Sequence, residues 1–391
     1  MPISPACRPL EGVRVLDLSR LIPGPLATLV LADLGATVDK IEDSGQGDYL
    51  RHMPPEVAGT NVAYGTLNRG KRSAVLDLKL DAGREALLSM LGSYDVLFEQ
   101  FRPGVLARLG LDPEELRRRH PRLVLCSLTG YGQTGPYAGR AGHDLNYLAR
   151  SGLLGAMGPS GQPPAVPGFQ LADVSGGLWS VIGILAALRE RDRSGLGAWV
   201  DIAMSESTLL FAATSLAPAL AGQAGARGEE LLTGGIAPYR TYATSDGRAV
   251  ALAALEPKFY LECARALGVE PTLDDLRPGP HQAELVRRYE QVFASKSFAE
   301  WVSFCASRDI MLEPVLAPSE LRGDEQLSAR GMFFDLETEH GKLPQVRTPV
   351  TPEGAGYAPP PRQGEHTRSV LAEAGLDPAR IDALMASGAA R

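Results

Sequence analysis

Short segments rich in β-branched residues alternate with amphipathic segments through the first half of this 391-residue chain. Five of them have the composition of buried strands: residues 13–18, 37–41, 73–78, 96–99 and 123–128. Helix patterns lie between them, at 25–34, at 81–91 and from Pro113. Because strand and helix alternate at this spacing, the sequence predicts an α/β fold with a doubly wound, Rossmann-like parallel sheet.

The composition changes after a further apolar helix at 175–189, predicted to be buried, a strand at 198–203 and a helix from Glu206. Residues 221–235 are rich in Gly, Ala and charge, which is typical of a linker. Two strand patterns then flank Ser245-Asp246-Gly247, a hairpin signal, and helix patterns follow at 257–268, 281–294 and 298–307.

These patterns predict four parts. Residues 1–220 form a large domain, 221–235 a linker and 236–320 a smaller α+β domain. Residues 321–391 form a C-terminal segment that returns to the large domain. Within it, the Pro-rich stretch from residue 332 shows no complete folding pattern before the helices that follow Gly364.

Charge and cysteine usage exclude several classes of protein. The formal charge of -7 argues against non-specific nucleic-acid binding. The four cysteines are scattered singly and form no metal-binding pattern: Cys7, Cys126, Cys263 and Cys305. The longest apolar stretch, 178–188, is shorter than the ~20 residues that cross a bilayer, and no secretory signal opens the chain. We therefore expect a cytoplasmic protein with no metal and no membrane partner.

Familiar nucleotide and hydrolase motifs are missing from the sequence. No phosphate-binding P-loop is present, and Leu18-Ser19-Arg20 follows the first strand where a dinucleotide-binding fold would carry Gly-x-Gly-x-x-Gly. No Gly-x-Ser-x-Gly elbow of a serine hydrolase occurs. Two basic segments remain, 68–72 and 101–104, which are either phosphate-binding loops or solvated turns.

Three acid or base side chains stand at predicted helix starts. His143 is followed by Asp144 in a glycine-rich stretch, so it is either a general base or a structural residue. Asp173 opens the apolar helix, where a carboxylate either caps backbone amides or serves as a base or nucleophile. Glu256 directly precedes Pro257 and has the same two interpretations, cap or catalyst.

Taken together, these segments resemble the class III CoA-transferase family over essentially the whole chain. The stretches that carry the resemblance are 9–17, 67–73, 101–104, 127–132 and 364–367. Two further segments are similar to the α-methylacyl-CoA racemase branch of that family: 141–148, and 234–260 with its Glu256-Pro257-Lys258-Phe259-Tyr260. Phe169 and Val174 depart from the racemase pattern, which bears on the acyl chain more than on the reaction.

The resemblance implies a set of roles. Asp173 is shared by both branches, whereas His143 and Glu256 are specific to the racemases. It implies that CoA is part of the substrate, that no separate cofactor is needed, and that two chains form an interlocked homodimer. We expect CoA to be bound by some of the following residues: Lys40, Arg69, Lys71, Arg72, Arg102, Gly142 and Asp144.

The predicted reaction is epimerisation at C2 of a 2-methyl-branched acyl-CoA. His143, polarised by Glu256, would act on one face of the carbon and Asp173 on the other, with backbone amides around Asp173 stabilising the enolate. One alternative is a CoA-transferase that uses Asp173 as nucleophile. Another is a non-catalytic acyl-CoA-binding protein.

Overall fold

The computed structural model of the chain describes residues 8–352 and 355–391, so Cys7 lies outside the described residues. Contacts divide the chain into two compact units. Unit 1 comprises Met1–Ser151, Phe169–Thr208 and Glu325–Arg391, and unit 2 comprises Gly152–Gly168 and Leu209–Asp324.

Unit 1 is built on a six-stranded, fully parallel sheet. Its strands, with the short pair β3 and β4 that lies outside it, are β1 (Arg14–Asp17), β2 (Thr37–Glu42), β3 (Glu56–Val57), β4 (Thr60–Asn61), β5 (Arg72–Val75), β6 (Val96–Glu99), β7 (Val124–Thr129) and β8 (Trp199–Ala203). The spatial order is β5-β2-β1-β6-β7-β8, so the strand order reverses between β1 and β6. The predicted doubly wound α/β fold is confirmed.

Helices cover both faces of this sheet. They are α1 (Pro23–Asp33), α2 (Val62–Asn68), α3 (Asp81–Met90), α4 (Val105–Arg108), α5 (Pro113–Arg119), α6 (Asp144–Arg150), α7 (Leu171–Ser194) and α8 (Met204–Ser207). Leu16, Leu97 and Leu125 of the sheet belong to one buried apolar cluster with residues of α3 and α5, while α1 and α7 contact the opposite face. The helix predicted from Glu206 is the single turn α8.

Helix α7 approaches its neighbours closely because it carries two glycines in its second turn. A Cβ atom on Gly177 would lie 2.7 Å from the Pro23 carbonyl oxygen of α1, and one on Gly176 would lie 2.7 Å from Cγ of Met204 in α8. The expectation that this helix is buried holds for only part of its surface, because Leu178 and Ile182 are 43% and 52% exposed. Its 24 residues pass a length-and-composition test for membrane spans, which core helices of soluble proteins also pass.

Unit 2 is organised around an antiparallel sheet in the order β11-β10-β9, formed by β9 (Tyr239–Ala243), β10 (Ala249–Ala253) and β11 (Leu312–Pro314). The predicted hairpin is confirmed, and α9 (Ala213–Leu220), α10 (Pro257–Ala266), α11 (Gln282–Phe293) and α12 (Phe298–Ala306) belong to the same unit. Stacked rings of Tyr242, Tyr289 and Phe293 fill its core. Residues 152–168 join this unit, where the Arg227 guanidinium donates to the Pro159 carbonyl.

The C-terminal segment carries an unpredicted hairpin, followed by helices. After α13 (Glu325–Ala329), strands β12 (Phe333–Thr338) and β13 (Gly341–Val346) pair with Leu336 opposite Leu343, both buried. The expectation of no folding pattern before Gly364 is therefore wrong; Pro344 within β13 concealed the strand. Helices α14 (Thr367–Glu373) and α15 (Pro378–Ala386) contribute to the apolar cluster of the large sheet.

Candidate active site

A crevice of about 540 Å³ opens at the carboxyl ends of the central strands of unit 1. It is lined by the loops that follow β1, β2, β5 and β6, and therefore lies where the strand order reverses. This is the position at which doubly wound sheets bind ligands. The floor is apolar, formed by Leu18, Ile41, Leu76, Leu78, Phe101, Val105 and Leu109.

The walls of the crevice are held by a buried polar network. Lys40 Nζ donates to the Ser19 carbonyl oxygen at 2.6 Å and pairs with Asp48 at 2.9 Å. Asp48 Oδ1 in turn accepts from the Leu21 amide at 3.0 Å, at a residue with a φ of 65°. Residues with positive φ need support from their surroundings, so Lys40 and Asp48 fix the loop after β1.

Three of the predicted CoA-binding cations are part of such networks instead. The side chains of Lys40, Arg69 and Lys71 are all 0% exposed. Arg69 pairs with Asp33 at 2.8 Å, and Lys71 lies 3.6 Å from Asp17, where burial lowers the pKa of its ammonium group to about 7. A buried, paired cation cannot reach a phosphate group, so the structure contradicts the predicted role of these three residues.

The remaining predicted cations, Arg72 and Arg102, differ from each other. Arg72 is bound by two carboxylates, Asp39 at 2.6 Å and Glu373 at 2.7 Å, which leaves little of its guanidinium for a ligand. Arg102 is exposed and forms no ion pair with any described residue. Arg20 and Lys79, which the sequence interpretation did not select, line the crevice. The exposed cations that can bind an anionic ligand are therefore Arg20, Lys79 and Arg102.

Asp173 lies in the first turn of α7 with its carboxyl group partly buried. Burial, and then the negative charge of Asp144, raises the pKa of this carboxyl to about 7. No other described residue donates a hydrogen bond to it. The Asp173 carboxyl group therefore titrates near neutral pH.

The capping role considered for Asp173 belongs to Asp144. Its Oδ1 accepts from the amides of Ala172 at 2.6 Å and Asp173 at 3.0 Å, and the next amide, that of Val174, donates to the Gln170 carbonyl at 3.0 Å. These three amides are thus already hydrogen-bonded, and the predicted stabilisation of the enolate by backbone amides around Asp173 stays a prediction.

His143 immediately precedes α6, whose first turn abuts that of α7. Its backbone amide donates to Asn146 Oδ1 at 3.0 Å, and its exposed imidazole has no hydrogen-bond partner among the described residues. Because Asp144 binds the amide of Asp173, the acid–base candidates His143 and Asp173 are carried by neighbouring helix starts.

The ring of Tyr147 packs against two glycines, Gly130 and Gly142. Its hydroxyl donates to the Gly142 carbonyl, and a Cβ atom on Gly130 or Gly142 would lie within 3 Å of its ring. This ring therefore fills the space on one side of Gly142, and the predicted role of Gly142 in CoA binding stays a prediction. Burial and then the charge of Asp173 raise the pKa of the Tyr147 hydroxyl to about 12, so it stays protonated.

Glu256 is in unit 2, away in sequence from both candidates. It is exposed and occupies the N-cap position of α10, but its side chain caps no amide. Of the two interpretations from sequence, the capping role is therefore wrong. Its predicted partnership with His143 remains a prediction.

Sequence reasoning missed Arg20, Lys79 and the packing role of Tyr147. Arg20 had a usable signal, because it directly follows the first strand of a predicted doubly wound sheet, where ligands bind. Lys79 follows β5 in the same way. The packing role of Tyr147 had no such sequence signal, since its contact with Gly130 joins residues that are distant in sequence.

Comparisons with known proteins give a consistent result. The sequence model of CoA-transferase family III matches residues 10–367. The chain is 37% identical to the alpha-methylacyl-CoA racemase of Homo sapiens, covering 94% of each chain, and 35% identical to the succinate–glutarate CoA-transferase of Agrobacterium fabrum, covering 93% of this chain and 95% of that protein. It superimposes on a CAIB/BAIF family protein from Brucella suis with a TM-score of 0.81 at 30% identity, covering 94% of this chain and 99% of that one.

Proposed function

The chain belongs to CoA-transferase family III, and we propose that it epimerises 2-methyl-branched acyl-CoA thioesters at C2. The observation that carries the proposal is the pair of neighbouring helix starts. One bears a carboxyl group with a pKa of about 7, and the other bears an unpaired imidazole. An epimerase needs one group protonated and the other not, in either direction. A carboxyl group with a pKa near neutrality, such as that of Asp173, is present in both protonation states at physiological pH and so meets that need.

The reaction proceeds by two proton transfers at one carbon. In one direction the Asp173 carboxylate removes the C2 hydrogen, which the adjacent thioester carbonyl makes acidic, and leaves an enolate. The imidazolium of His143 then delivers a proton to the opposite face. In the reverse direction the two side chains exchange roles. No electron is transferred, so the proposed chemistry requires no redox cofactor.

We propose that the CoA portion of the substrate binds in the crevice at the strand ends. Its apolar floor suits a flat purine ring, and the exposed cations Arg20 and Lys79 line the crevice, where phosphate groups would lie. Arg102 adds a cation near Tyr147. We place CoA there rather than on the buried cations.

A homodimer with a shared site is part of the proposal. The exposed apolar side chains of Leu178 and Ile182 on α7 support a partner surface there. Glu256 of a second copy would then hydrogen-bond to His143 and stabilise its imidazolium form.

CoA transfer between carboxylic acids is the second candidate, because the Agrobacterium fabrum transferase matches this chain over almost its full length. In that reaction Asp173 would attack the thioester carbonyl carbon. A mixed anhydride would form and the CoA thiolate would leave.

One incubation separates the two candidates. A single C2 epimer of a 2-methyl-branched acyl-CoA is supplied with and without a free carboxylic acid, and products are resolved by chiral chromatography with mass detection. We expect the other epimer to form, and to form at the same rate with and without the added acid. CoA appearing on the added acid, with the epimer unchanged, would refute the epimerase proposal in favour of the transferase. Asp192→Asn, at the far end of α7, is the matched control variant and should retain full activity.

A further inference from the structure

The Asp144 carboxylate links the starts of α6 and α7. Asp144 is the first residue of α6, and its Oδ1 accepts hydrogen bonds from two amides in the first turn of α7, those of Ala172 and Asp173. The sequence interpretation assigned Asp144 to CoA binding, yet in the structure this oxygen is directed to the neighbouring helix. Two amide donors on a single oxygen hold that turn firmly.

We propose that Asp144 is a positioning residue for Asp173: it fixes the turn that carries Asp173 relative to His143 and keeps a negative charge beside the Asp173 carboxyl group. This inference rests on the proposed function, in which His143 and Asp173 act on opposite faces of one carbon. A catalytic geometry of that kind tolerates errors of roughly 0.5 Å.

The connection between His143 and Asp173 is short. His143 and Asp144 are consecutive, and the Asp144 side chain binds the backbone amide of Asp173 itself at 3.0 Å. The path between the two acid–base residues therefore contains one peptide bond and one hydrogen bond. At the other side of His143, the Tyr147 hydroxyl holds the Gly142 carbonyl. Both chain neighbours of His143, Gly142 and Asp144, are thus held in place by hydrogen bonds.

Asp144 also acts on Asp173 through its charge. Burial is the larger cause of the raised pKa of Asp173, and the Asp144 charge adds to it. The elements packed against α7 carry other titratable or charged groups: Asp33 on α1, Tyr147 and Arg150 on α6, Cys126 on β7, Asp201 on β8 and Glu206 on α8, with His143 and Arg102 in adjoining loops. Asp144 is the neighbouring charge that raises the pKa of the Asp173 carboxyl.

Two variants separate position from charge. Asp144→Asn keeps an oxygen that accepts both amides but removes the charge, so the pKa of Asp173 should fall. The acid limb of the kcat profile, in the direction in which Asp173 is the base, should then move to lower pH with KM little changed. Asp144→Ala loses the hydrogen-bond acceptor as well as the charge, so its kcat should be lower than that of Asp144→Asn at every pH. If Asp144 bound CoA instead, both variants would raise KM and leave the acid limb in place, which would overturn the proposal.

A titration without substrate makes the test independent of the proposed function. The Asp173 carboxyl is followed by carbon-13 NMR in aspartate-labelled protein and assigned with Asp173→Asn. We expect its midpoint at lower pH in Asp144→Asn than in wild type. Asp192→Asn, about 28 Å away along α7 at 1.5 Å per residue, should leave the midpoint unchanged.

An unshifted midpoint in Asp144→Asn would overturn the inference even in an active epimerase. A shifted midpoint in a protein that does not epimerise would instead refute the proposed function and leave the effect of Asp144 on Asp173 standing. Should Asp144→Asn fail to fold, Asp144→Ser offers an uncharged oxygen acceptor for the same titration.

Discussion

At the scale of single residues, the account depends on which carboxylates and cations are free to act. Asp144 takes the capping role and leaves Asp173 unpaired. Lys40, Arg69 and Lys71 are occupied by internal carboxylates and leave Arg20, Lys79 and Arg102 for an anionic ligand. The same residue types thus serve structure or chemistry according to their tertiary partners.

Asp173→Asn should abolish epimerisation and change the pH dependence of stability. The pKa of Asp173 is about 7 in the folded chain, against about 3.9 for an unfolded aspartate. Its contribution to the free energy of unfolding is therefore present in full below about pH 4 and is lost as the pH rises through about 7. An asparagine avoids this loss, so the variant should gain stability relative to wild type between pH 5 and pH 8. Urea unfolding at both pH values measures the difference, and a difference independent of pH would contradict the assignment.

His143→Ala should leave the fold intact and remove one catalytic base. The imidazole is exposed and has no hydrogen-bond partner among the described residues, so the free energy of unfolding should change by less than about 0.5 kcal/mol. Exchange of the C2 hydrogen from one epimer should fall by about 10²- to 10⁴-fold. Mass spectrometry of each epimer in heavy water measures the rates. His340→Ala, at an exposed histidine in the turn between β12 and β13, should exchange both epimers normally; equal exchange of both epimers by His143→Ala would exclude the assigned role.

At the scale of secondary-structure elements, the site is made where helix starts meet strand ends. The first turn of α6 is shaped by the Tyr147 ring, which packs edge-on against Tyr131 at 5.2 Å and occupies the space beside Gly130. The position of His143 therefore depends on a glycine that follows β7.

Gly130→Ala tests that dependence. The new Cβ atom would lie 2.4 Å from Cε1 of Tyr147, so the ring must move and displace the start of α6. Overpacking of this kind costs about 1–3 kcal/mol, and kcat should fall as well. Gly139→Ala is the matched control, because no atom lies within 4 Å of its Cβ position. Thermal unfolding and steady-state kinetics of both variants measure these effects. Identical stability and kcat in Gly130→Ala and Gly139→Ala would show that the Tyr147 ring does not position His143.

The large sheet was predictable from sequence because most of its strands are buried and read as continuous apolar runs between helix patterns. β6 has the predicted limits, residues 96–99, and β9 and β10 flank the predicted turn at Ser245-Asp246-Gly247. The hairpin of β12 and β13 was not predictable, since a proline interrupts its pattern. The buried cations were also not predictable: Arg69 pairs with Asp33, 36 positions earlier in the chain, and local sequence does not reveal that contact.

At the scale of the whole molecule, the proposed dimer accounts for two features of the single chain. Leu178 and Ile182 expose apolar surface on the same helix that carries Asp173. Glu256, the third proposed catalytic residue, belongs to unit 2. A second copy that covers α7 and supplies Glu256 explains both.

Mixing two inactive variants tests the shared site. Asp173→Ala chains are co-expressed with Glu256→Ala chains, each nearly inactive alone. In a heterodimer with shared sites, one site carries both substitutions and the other carries neither. A random mixture should therefore recover about a quarter of wild-type activity. Native mass spectrometry confirms that heterodimers are present. Their presence without recovered activity would show that all three residues act within one chain.

Deuterium labelling measures directly whether two side chains act on opposite faces of C2. A single protiated epimer is incubated with the wild-type protein in heavy water, and both epimers are recovered at low conversion. We expect deuterium at C2 of nearly all of the newly formed epimer, because its proton comes from a second, solvent-exchanged group, while the recovered starting epimer remains largely protiated. A new epimer that retains its original hydrogen, or the absence of any new epimer while acyl-CoA remains bound, would contradict this expectation.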